Sequence, residues 1–196
     1  MGVKEESLKS LKPIIVVSGP SGSGKRTYTS MLLEEFPNIL CSISSTTRNP
    51  REDEIDGYHY NFISEEEFKK DIEEGNFIEW ALVHNMYYYG TSLKQVNGAL
   101  ENNKCILIEL NYEGYLQLLK KLDRSLIKSI FIEPFPREIL ADLIQKRSPL
   151  SEKELKNRLN SIEEEVKNSA HYDHILTPTY SDIEETYKNF KKLLFS

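Results

Sequence analysis

Short apolar runs alternate with amphipathic stretches along most of the chain. Continuous aliphatic residues predict strands, and the run Ile14–Ser18 is typical of a strand buried on both faces. Periodic apolar positions between these runs predict helices. The predicted strands are 14–18, 40–44, 104–110, 126–132 and 174–176, and the predicted helices are 25–35, 92–101, 112–122, 136–146, 151–170 and 181–194. This alternation indicates an α/β protein whose parallel sheet is flanked by helices.

Capping signals support several predicted helix starts, and two segments do not follow the alternation of strands and helices. Four helix starts are predicted to carry capping boxes: Ser64/Glu67, Ser92/Gln95, Ser151/Glu154 and Ser181/Glu184. Residues 45–91 break the alternation, and alternating aromatic and polar residues at 58–62 predict antiparallel strands in a small inserted subdomain. A polar turn at 147–155 is a candidate lid, and Glu163–Glu165 is read as the solvated face of a long helix.

Composition narrows the functional classes. The 196 residues include 25 Lys and Arg against 31 Asp and Glu, and this net charge of −6 argues against a general nucleic-acid binder. No apolar run exceeds four residues, so neither a membrane span nor a signal peptide is expected. Cys41 and Cys105 lie within apolar runs and suggest no disulfide framework, which favours the cytoplasm. The polar residues 1–12 are predicted to be a flexible tail.

A glycine-rich loop between the first predicted strand and helix has the pattern of a phosphate cradle. Glycines allow the loop N–H groups to point at phosphate oxygens, the helix N-terminus adds positive potential, and Lys25 reaches the terminal phosphates. The sequence therefore predicts a nucleoside triphosphate site. Its predicted residues are Gly19, Pro20, Ser21, Gly22, Ser23, Gly24, Lys25, Arg26 and Thr27.

One position in this loop departs from the usual pattern. Arg26 occupies the place where Ser or Thr normally holds Mg²⁺, and the hydroxyl follows at Thr27. Either Thr27 holds the metal, or phosphates and water supply most of its ligands, as Mg²⁺ tolerates. Arg26 either contacts a phosphate or is a solvated helix residue.

A second anion site is indicated downstream of the second predicted strand. Arg48 and Arg51 are three residues apart across a proline and can face one anion, which their guanidinium forks would bind bidentately. Tyr60 and Tyr89 can add hydroxyl donors. Taken alone, the two arginines would be better interpreted as a solvated basic turn.

Together these segments make the chain resemble the guanylate kinase family from about Pro13 to the C-terminus. The strings that carry the resemblance are Ser18–Lys25, Ser42–Arg51, Asp56–Gly57 with Tyr60–Phe62, Gly75–Trp80 and Tyr89–Ser92. The resemblance implies a P-loop core over 13–43, 92–146 and 159–196, a GMP-binding subdomain over 44–91 and a short helical lid over 147–158.

The resemblance also implies an activity and residue roles. The implied reaction is direct in-line phosphoryl transfer from ATP to GMP, and to dGMP as well, with Mg²⁺ as cofactor, as part of purine nucleotide metabolism. Ser44, Glu79 and Thr91 match the residues that hold guanine. The implied GMP set adds Arg48, Arg51, Tyr60, Tyr89 and Gly90; the catalytic set is Lys25, Arg51, Arg147 and Arg158; the metal set is Thr27 and, through water, Glu109.

The chemistry of guanine agrees with this assignment independently. Guanine presents two adjacent donors, N1–H and the 2-amino group, and one carboxylate such as Glu79 can accept both. Adenine would place an N1 lone pair against that carboxylate, and such a mismatch discriminates strongly. Without the family context, an exposed strand residue would be the better interpretation of Glu79.

Several positions depart from the family pattern. Glu109–Asn111 replaces Asp-x-Asp, Leu143 replaces a lid-helix arginine, and Thr177–Pro178 replaces an Asn-Asp pair near adenine. One extra residue before Tyr89 leaves the alignment of Tyr87 and Tyr88 open. These changes keep an alternative in view, a non-catalytic guanylate-kinase-like module that binds proteins. Because the cradle and both lid arginines are retained, we expect an enzyme, monomeric or weakly dimeric, without nucleic-acid or membrane partners.

Overall fold

The computed structural model describes residues 11–20, 22–83, 86–147 and 150–196, with Arg147 described by its backbone alone. The elements in chain order are β1 Ile14–Ser18, α1 Lys25–Glu35, β2 Leu40–Cys41, β3 Ser45–Thr46, β4 Asn61–Phe62, α2 Glu65–Glu73, β5 Phe77–Val83, β6 Tyr87–Ser92, α3 Leu93–Glu101, β7 Ile106–Glu109, α4 Tyr112–Lys121, β8 Ile127–Ile132, α5 Arg137–Arg147, α6 Glu152–Lys167, β9 His174–Leu176 and α7 Ile183–Phe195. Two short 3-10 turns precede β8 and β9.

The core is a five-stranded parallel sheet in the order β2-β7-β1-β8-β9. Every residue of the central strand β1 is buried. Because alternate side chains point to opposite faces, Ile15 and Val17 pack under α1 and α7, whereas Ile14 and Val16 pack under α3 and α4. The sheet is therefore covered on both faces, which confirms the predicted α/β class.

A second, mixed sheet lies between β2 and α3, in the order β4-β3-β6-β5. The pairs β3–β6 and β5–β6 are antiparallel, whereas β3 and β4 are parallel. This sheet is the inserted mixed subdomain that the sequence predicted.

The antiparallel strand predicted at 58–62 is wrong. Only Asn61–Phe62 is a strand, and it pairs in parallel with β3. The preceding residues form a turn in which the Gly57 N–H donates to the Tyr60 carbonyl at 2.8 Å and the Asp56 carboxylate accepts from the Phe62 N–H at 2.9 Å. Gly57 has a φ of 73°, and this turn, rather than the aromatic alternation, sets the chain direction.

Two of the four predicted capping boxes form, at Ser64 and Ser151. Ser92 makes no capping hydrogen bond, because the side chain of its predicted partner Gln95 bonds the backbone of Ile43 instead. Helix α7 is capped by Asp182, whose carboxylate accepts from the Glu185 N–H at 2.8 Å, so the prediction for Ser181 is also wrong.

Leu11 and Lys12, which belong to the predicted tail, are packed against the rest of the chain. Leu11 is buried in the apolar cluster under α1 and α7, and the Lys12 ammonium donates to the Ile127 carbonyl at 2.9 Å. The rest of the tail predicted at 1–12 lies outside the described residues. Within the described ranges, no helix combines the length and apolarity needed to cross a bilayer.

Candidate active site

The loop after β1 turns sharply at glycines with positive φ. A side chain at Gly19, whose φ is 143°, would place its Cβ 2.2 Å from the Ile132 carbonyl oxygen, so only glycine fits against the end of β8. Gly24 has a φ of 81° and is the N-cap of α1. The loop is thereby wrapped closely over the carboxyl ends of β1 and β8, as a phosphate cradle requires.

The start of α1 has the electrostatics of an anion site. No side chain of the described residues caps this terminus, and its first turn contains no acidic residue, so its N–H groups keep their positive potential. The Ser23 hydroxyl is fully buried and makes no hydrogen bond within the described part of the chain. A buried polar atom of this kind matches an anion that would complete the loop. Ser21, also predicted here, lies outside the described residues.

Lys25 lies against its own loop. Its ammonium donates to the carbonyls of Gly19 at 2.5 Å and Pro20 at 2.9 Å. Glu165 of α6 interacts electrostatically with this ammonium group. Burial raises the pKa of Glu165, whereas the charges of Lys25 and Arg158 lower it. Glu165 is therefore half-buried beside the cradle, which corrects its prediction as part of a solvated face. Its place within an acidic run gave no signal for this.

The residues predicted for the metal approach the cleft from two elements. Thr27 is exposed in the first turn of α1, and Glu109 ends β7, where its carboxylate accepts from the Thr29 hydroxyl at 2.7 Å. Glu109 and Arg26 both act on the pKa of Tyr60, although burial has the larger effect and raises it. Arg26 is exposed but faces this cleft. Among the described residues, no three His, Cys, Asp or Glu side chains form a metal cluster.

Arg48 is the centre of the second predicted anion site. Its guanidinium donates to the Tyr89 hydroxyl at 3.1 Å and to Glu54 at 2.9 Å, and it lies 5.6 Å from the centre of the Tyr60 ring. Tyr60 and Tyr89 are themselves in edge-to-face contact. The structure thus brings these three predicted residues together.

Glu54 links Arg51 to the cluster around Arg48, and this role for Glu54 was not predicted from the sequence. Its side chain is 6% exposed, accepts the Arg51 N–H at 2.9 Å and pairs with both arginines. The hydrogen bond from Arg48 is the main cause that lowers the pKa of Glu54 to about 2. Its spacing, three residues after Arg51 in a polar turn, was the available signal.

Two of the residues predicted to bind the base lie on adjacent strands, and the third, Ser44, directly precedes the strand beside them. Glu79 on β5 faces Thr91 on β6, and Ser45 pairs with Gly90, so the antiparallel register brings Ser44 opposite Thr91. Glu79 is 6% exposed, and burial raises its pKa. The Thr91 hydroxyl offsets part of that shift while making no well-formed hydrogen bond of its own. A buried acceptor beside a buried hydroxyl suits a ligand that carries adjacent donors.

Two other sequence departures have structural accounts. Asn111 is the N-cap of α4, and its side-chain oxygen accepts from the Gly114 N–H at 2.9 Å, so that oxygen is engaged in the fold. The Thr177 hydroxyl donates to Glu133 at 2.5 Å. The predicted lid arginines fall at the C-terminus of α5, where Arg147 is the last residue, and on α6, where Arg158 is half-buried.

Comparisons with known proteins agree with this arrangement. A family model described as guanylate kinase matches residues 10–196. The chain is 39% identical to a guanylate kinase of Helicobacter pylori over 93% of this chain and 84% of that one, and 40% identical to one of Prochlorococcus marinus over 96% and 100%. A crystal structure of guanylate kinase from Anaplasma phagocytophilum superposes with a TM-score of 0.74 at 30% identity, covering 96% of this chain and 87% of that chain. From its first buried strand to its last helix, the chain belongs to the guanylate kinase family.

Proposed function

We propose that this protein phosphorylates GMP with ATP. The observation that carries the proposal is the buried Glu79 carboxyl beside Thr91, on the mixed sheet of a chain that retains the phosphate cradle. A guanine base would supply two donors to one carboxylate, which compensates for its burial. The alternative of a non-catalytic binding module is not favoured, because the chain keeps the glycine-rich loop with Gly24 and Lys25, and these are features of a nucleotide site.

The acceptor phosphate is assigned to the cluster around Arg48. Arg48 and Arg51 supply positive charge, and the hydroxyls of Tyr60 and Tyr89 supply neutral donors. Glu54 pairs with both guanidinium groups and fixes their positions within the site. This preorganisation reduces the side-chain entropy lost on binding.

The donor phosphates are assigned to the loop Gly19–Thr27. Its amides and Lys25 neutralise negative charge, and Arg51, Arg147 and Arg158 complete the charge around the transferring group. Mg²⁺, when bound, would offset the negative charge of the phosphates. Oxygen donors suit this ion, and Thr27 and Glu109 are the residues that would approach it, with phosphate and water as the other ligands.

Some finer features belong to the same proposal. We extend the acceptor range to dGMP and place the activity in purine nucleotide metabolism. The two free thiols, Cys41 and Cys105, are in keeping with the reducing cytoplasm. A monomer or weak dimer is our working model of its assembly.

The decisive experiment measures ADP release with four acceptors: GMP, dGMP, AMP and buffer alone. GMP-dependent release well above the AMP and buffer rates is expected. Lys25→Ala should abolish turnover and keep the wild-type circular dichroism spectrum, because the role proposed for Lys25 is to neutralise phosphate charge. Equal rates with all four acceptors would reject the kinase, and normal turnover of the variant would reject the cradle assignment.

A further inference from the structure

The chain contains three glutamines, and each uses its side-chain amide to bond both the N–H and the C=O of a single residue. Gln95 accepts from the Ile43 N–H at 2.9 Å and donates to the Ile43 carbonyl at 2.8 Å. Gln117 accepts from the Trp80 N–H at 3.1 Å and donates to the Trp80 carbonyl at 2.7 Å. We call these two interactions the amide clamps.

Both amide clamps lie next to a residue assigned to the base. Ile43 directly precedes Ser44, and Trp80 directly follows Glu79. In each place the main chain lacks a strand neighbour: β2 ends at Cys41, and β5 is the edge of the mixed sheet. A primary amide reproduces the donor and acceptor of a peptide group, so each glutamine replaces the missing strand.

The clamp at Trp80 is part of a larger contact between α4 and β5. Gly114, Gln117 and Lys121 share one face of α4, three and four residues apart. The Lys121 ammonium donates to the Phe77 carbonyl at 2.8 Å, and a Cβ at Gly114 would lie 2.5 Å from a carboxylate oxygen of Glu79. This face of α4 therefore holds the main chain on both sides of Glu79 and leaves room for its carboxylate.

We propose that Gln95 and Gln117 are positioning residues for the acceptor base: they fix the backbone that aims Ser44 and Glu79 at guanine. The proposal rests on the proposed function, because it concerns the same pocket. Neither glutamine has to touch the nucleotide. Recognition of two donors by one carboxylate depends on placement to a fraction of an ångström, and the amide clamps supply that placement.

The test replaces each glutamine by methionine, which keeps length and removes both hydrogen bonds. The kcat/KM ratio of GMP over IMP is the readout, because IMP lacks the 2-amino group that Glu79 is assigned to accept. Gln117→Met is expected to lower this ratio about tenfold, with the KM for ATP unchanged. Gln95→Met is expected to raise the KM for GMP while sparing the KM for ATP.

Gln145→Met is the matched control. Gln145 makes the same pair of hydrogen bonds at the end of α5. Its side chain accepts from the Leu150 N–H at 2.8 Å and donates to the Leu150 carbonyl at 2.9 Å. Its loss should leave the GMP over IMP ratio unchanged. If Gln145→Met changed that ratio as much as Gln117→Met does, the proposal would be overturned. The effect would then not depend on being next to the base site.

A double-mutant cycle separates positioning from stability. In a Glu79→Gln background, Gln117→Met should cost little more, because the carboxylate it positions is already lost. A ratio unchanged in Gln117→Met, or full additivity in the cycle, would overturn the proposal. Should Gln117→Met not fold, Gln117→Ala removes the same two hydrogen bonds with the highest helix propensity, and the same fall in the ratio is expected. Wild-type protein without GMP-dependent turnover would instead reject the proposed function, and calorimetric titration with GMP would then test the clamps without turnover.

Discussion

The most consequential single side chain is Glu79. Its carboxyl is buried, and the nearest charge that favours ionisation, Lys121, has a smaller effect on its pKa than burial does. An acceptor in such a place is costly to leave unpaired and correspondingly selective. The free protein therefore holds a group whose hydrogen bonds are completed by the base that it is proposed to select.

Glu79→Gln should impair the use of GMP far more than the binding of ATP. The amide can accept only one of guanine's two donors, and its own NH₂ group would meet the other. We expect the transition state for GMP to be bound about 2–4 kcal/mol less tightly, which is measured as a fall in kcat/KM for GMP. Steady-state kinetics with each substrate varied in turn measures this, and an unchanged value for GMP would remove Glu79 from the base pocket.

Glu54 provides a prediction about pH. Arg48 lowers the pKa of Glu54 from its ordinary value of 4.5 to about 2, so the carboxylate is stabilised in the folded state. Its contribution to folding is fully present above pH 4.5 and is lost as the pH falls towards 2. Glu54→Gln should therefore be less stable than wild type at pH 6, and the difference should shrink between pH 4.5 and 2.

Denaturant unfolding at a series of pH values checks this expectation. Glu52→Gln is the matched control, because it removes the same charge from an exposed position of the same turn. A stability difference for Glu54→Gln that stays constant across the acid range would mean that the pairing with Arg48 does not stabilise the fold.

At the scale of elements, helix α4 both leaves room for the Glu79 carboxylate and holds the backbone of β5. Its N-terminal half accommodates Glu79 at Gly114, and its middle and end hold β5 through Gln117 and Lys121. A helix thereby covers the exposed edge of the mixed sheet, which would otherwise present unpaired backbone groups. A Cβ at position 114 would lie 2.5 Å from a carboxylate oxygen of Glu79, so any larger residue there would displace that carboxylate.

Helix capping supplies a prediction at this scale, because two serines with the same sequence signature behave differently. Ser151 accepts from the Glu154 N–H and completes a capping box on α6, whereas Ser92 caps nothing on α3. Ser151→Ala should lower the free energy of unfolding by about 1 kcal/mol, and Ser92→Ala by a few tenths at most. Chemical denaturation of both variants measures the difference. Equal losses would contradict the geometry of one of the two helix starts.

The same comparison explains what could be predicted from sequence. Contiguous features were predictable: the cradle Gly19–Lys25, the buried strand before it and the capping box at Ser151 depend on residues a few positions apart. The end of β2 was not, because the amide that satisfies Ile43 comes from Gln95, 52 residues later. Glu165 and Gln117 were missed for the same reason, since each acts on a distant segment.

At the scale of the whole molecule, buried tyrosines join the cradle to the rest of the core. The Tyr172 hydroxyl donates to the Ser18 hydroxyl at 2.9 Å, directly before the cradle, and the Tyr172 ring stacks on Tyr115 of α4 at 4.5 Å. The Tyr115 hydroxyl donates in turn to Ser129 on β8. Fully paired buried networks of this kind fix geometry, so the base of the cradle and the helix behind Glu79 form one packed unit.

Helices α5 and α6 are organised differently. Leu140, Ile144, Leu159 and Ile162 form an apolar cluster between these two helices that is separate from the two clusters of the sheet. A helix pair with its own small core can change its position without dismantling the sheet. Transfer between two phosphorylated substrates requires exclusion of water, and closure of this pair over the cradle is the movement that we expect to provide it.

The arginines of this helix pair should therefore separate chemistry from binding. Arg147→Met and Arg158→Met keep much of the apolar stem and remove the charge, so kcat should fall by about 10²–10⁴ while GMP affinity changes little. Arg51→Met should weaken both, because Arg51 already lies with Glu54 in the acceptor site.

Arg137→Met is the control: it removes an arginine from the same helix pair, where its partner is Glu163. Rapid-quench and steady-state kinetics would measure these effects. A raised KM for GMP with kcat spared would make Arg147 and Arg158 ground-state clamps, and the catalytic charge would then have to come from Lys25, Mg²⁺ and Arg26, which faces the same cleft.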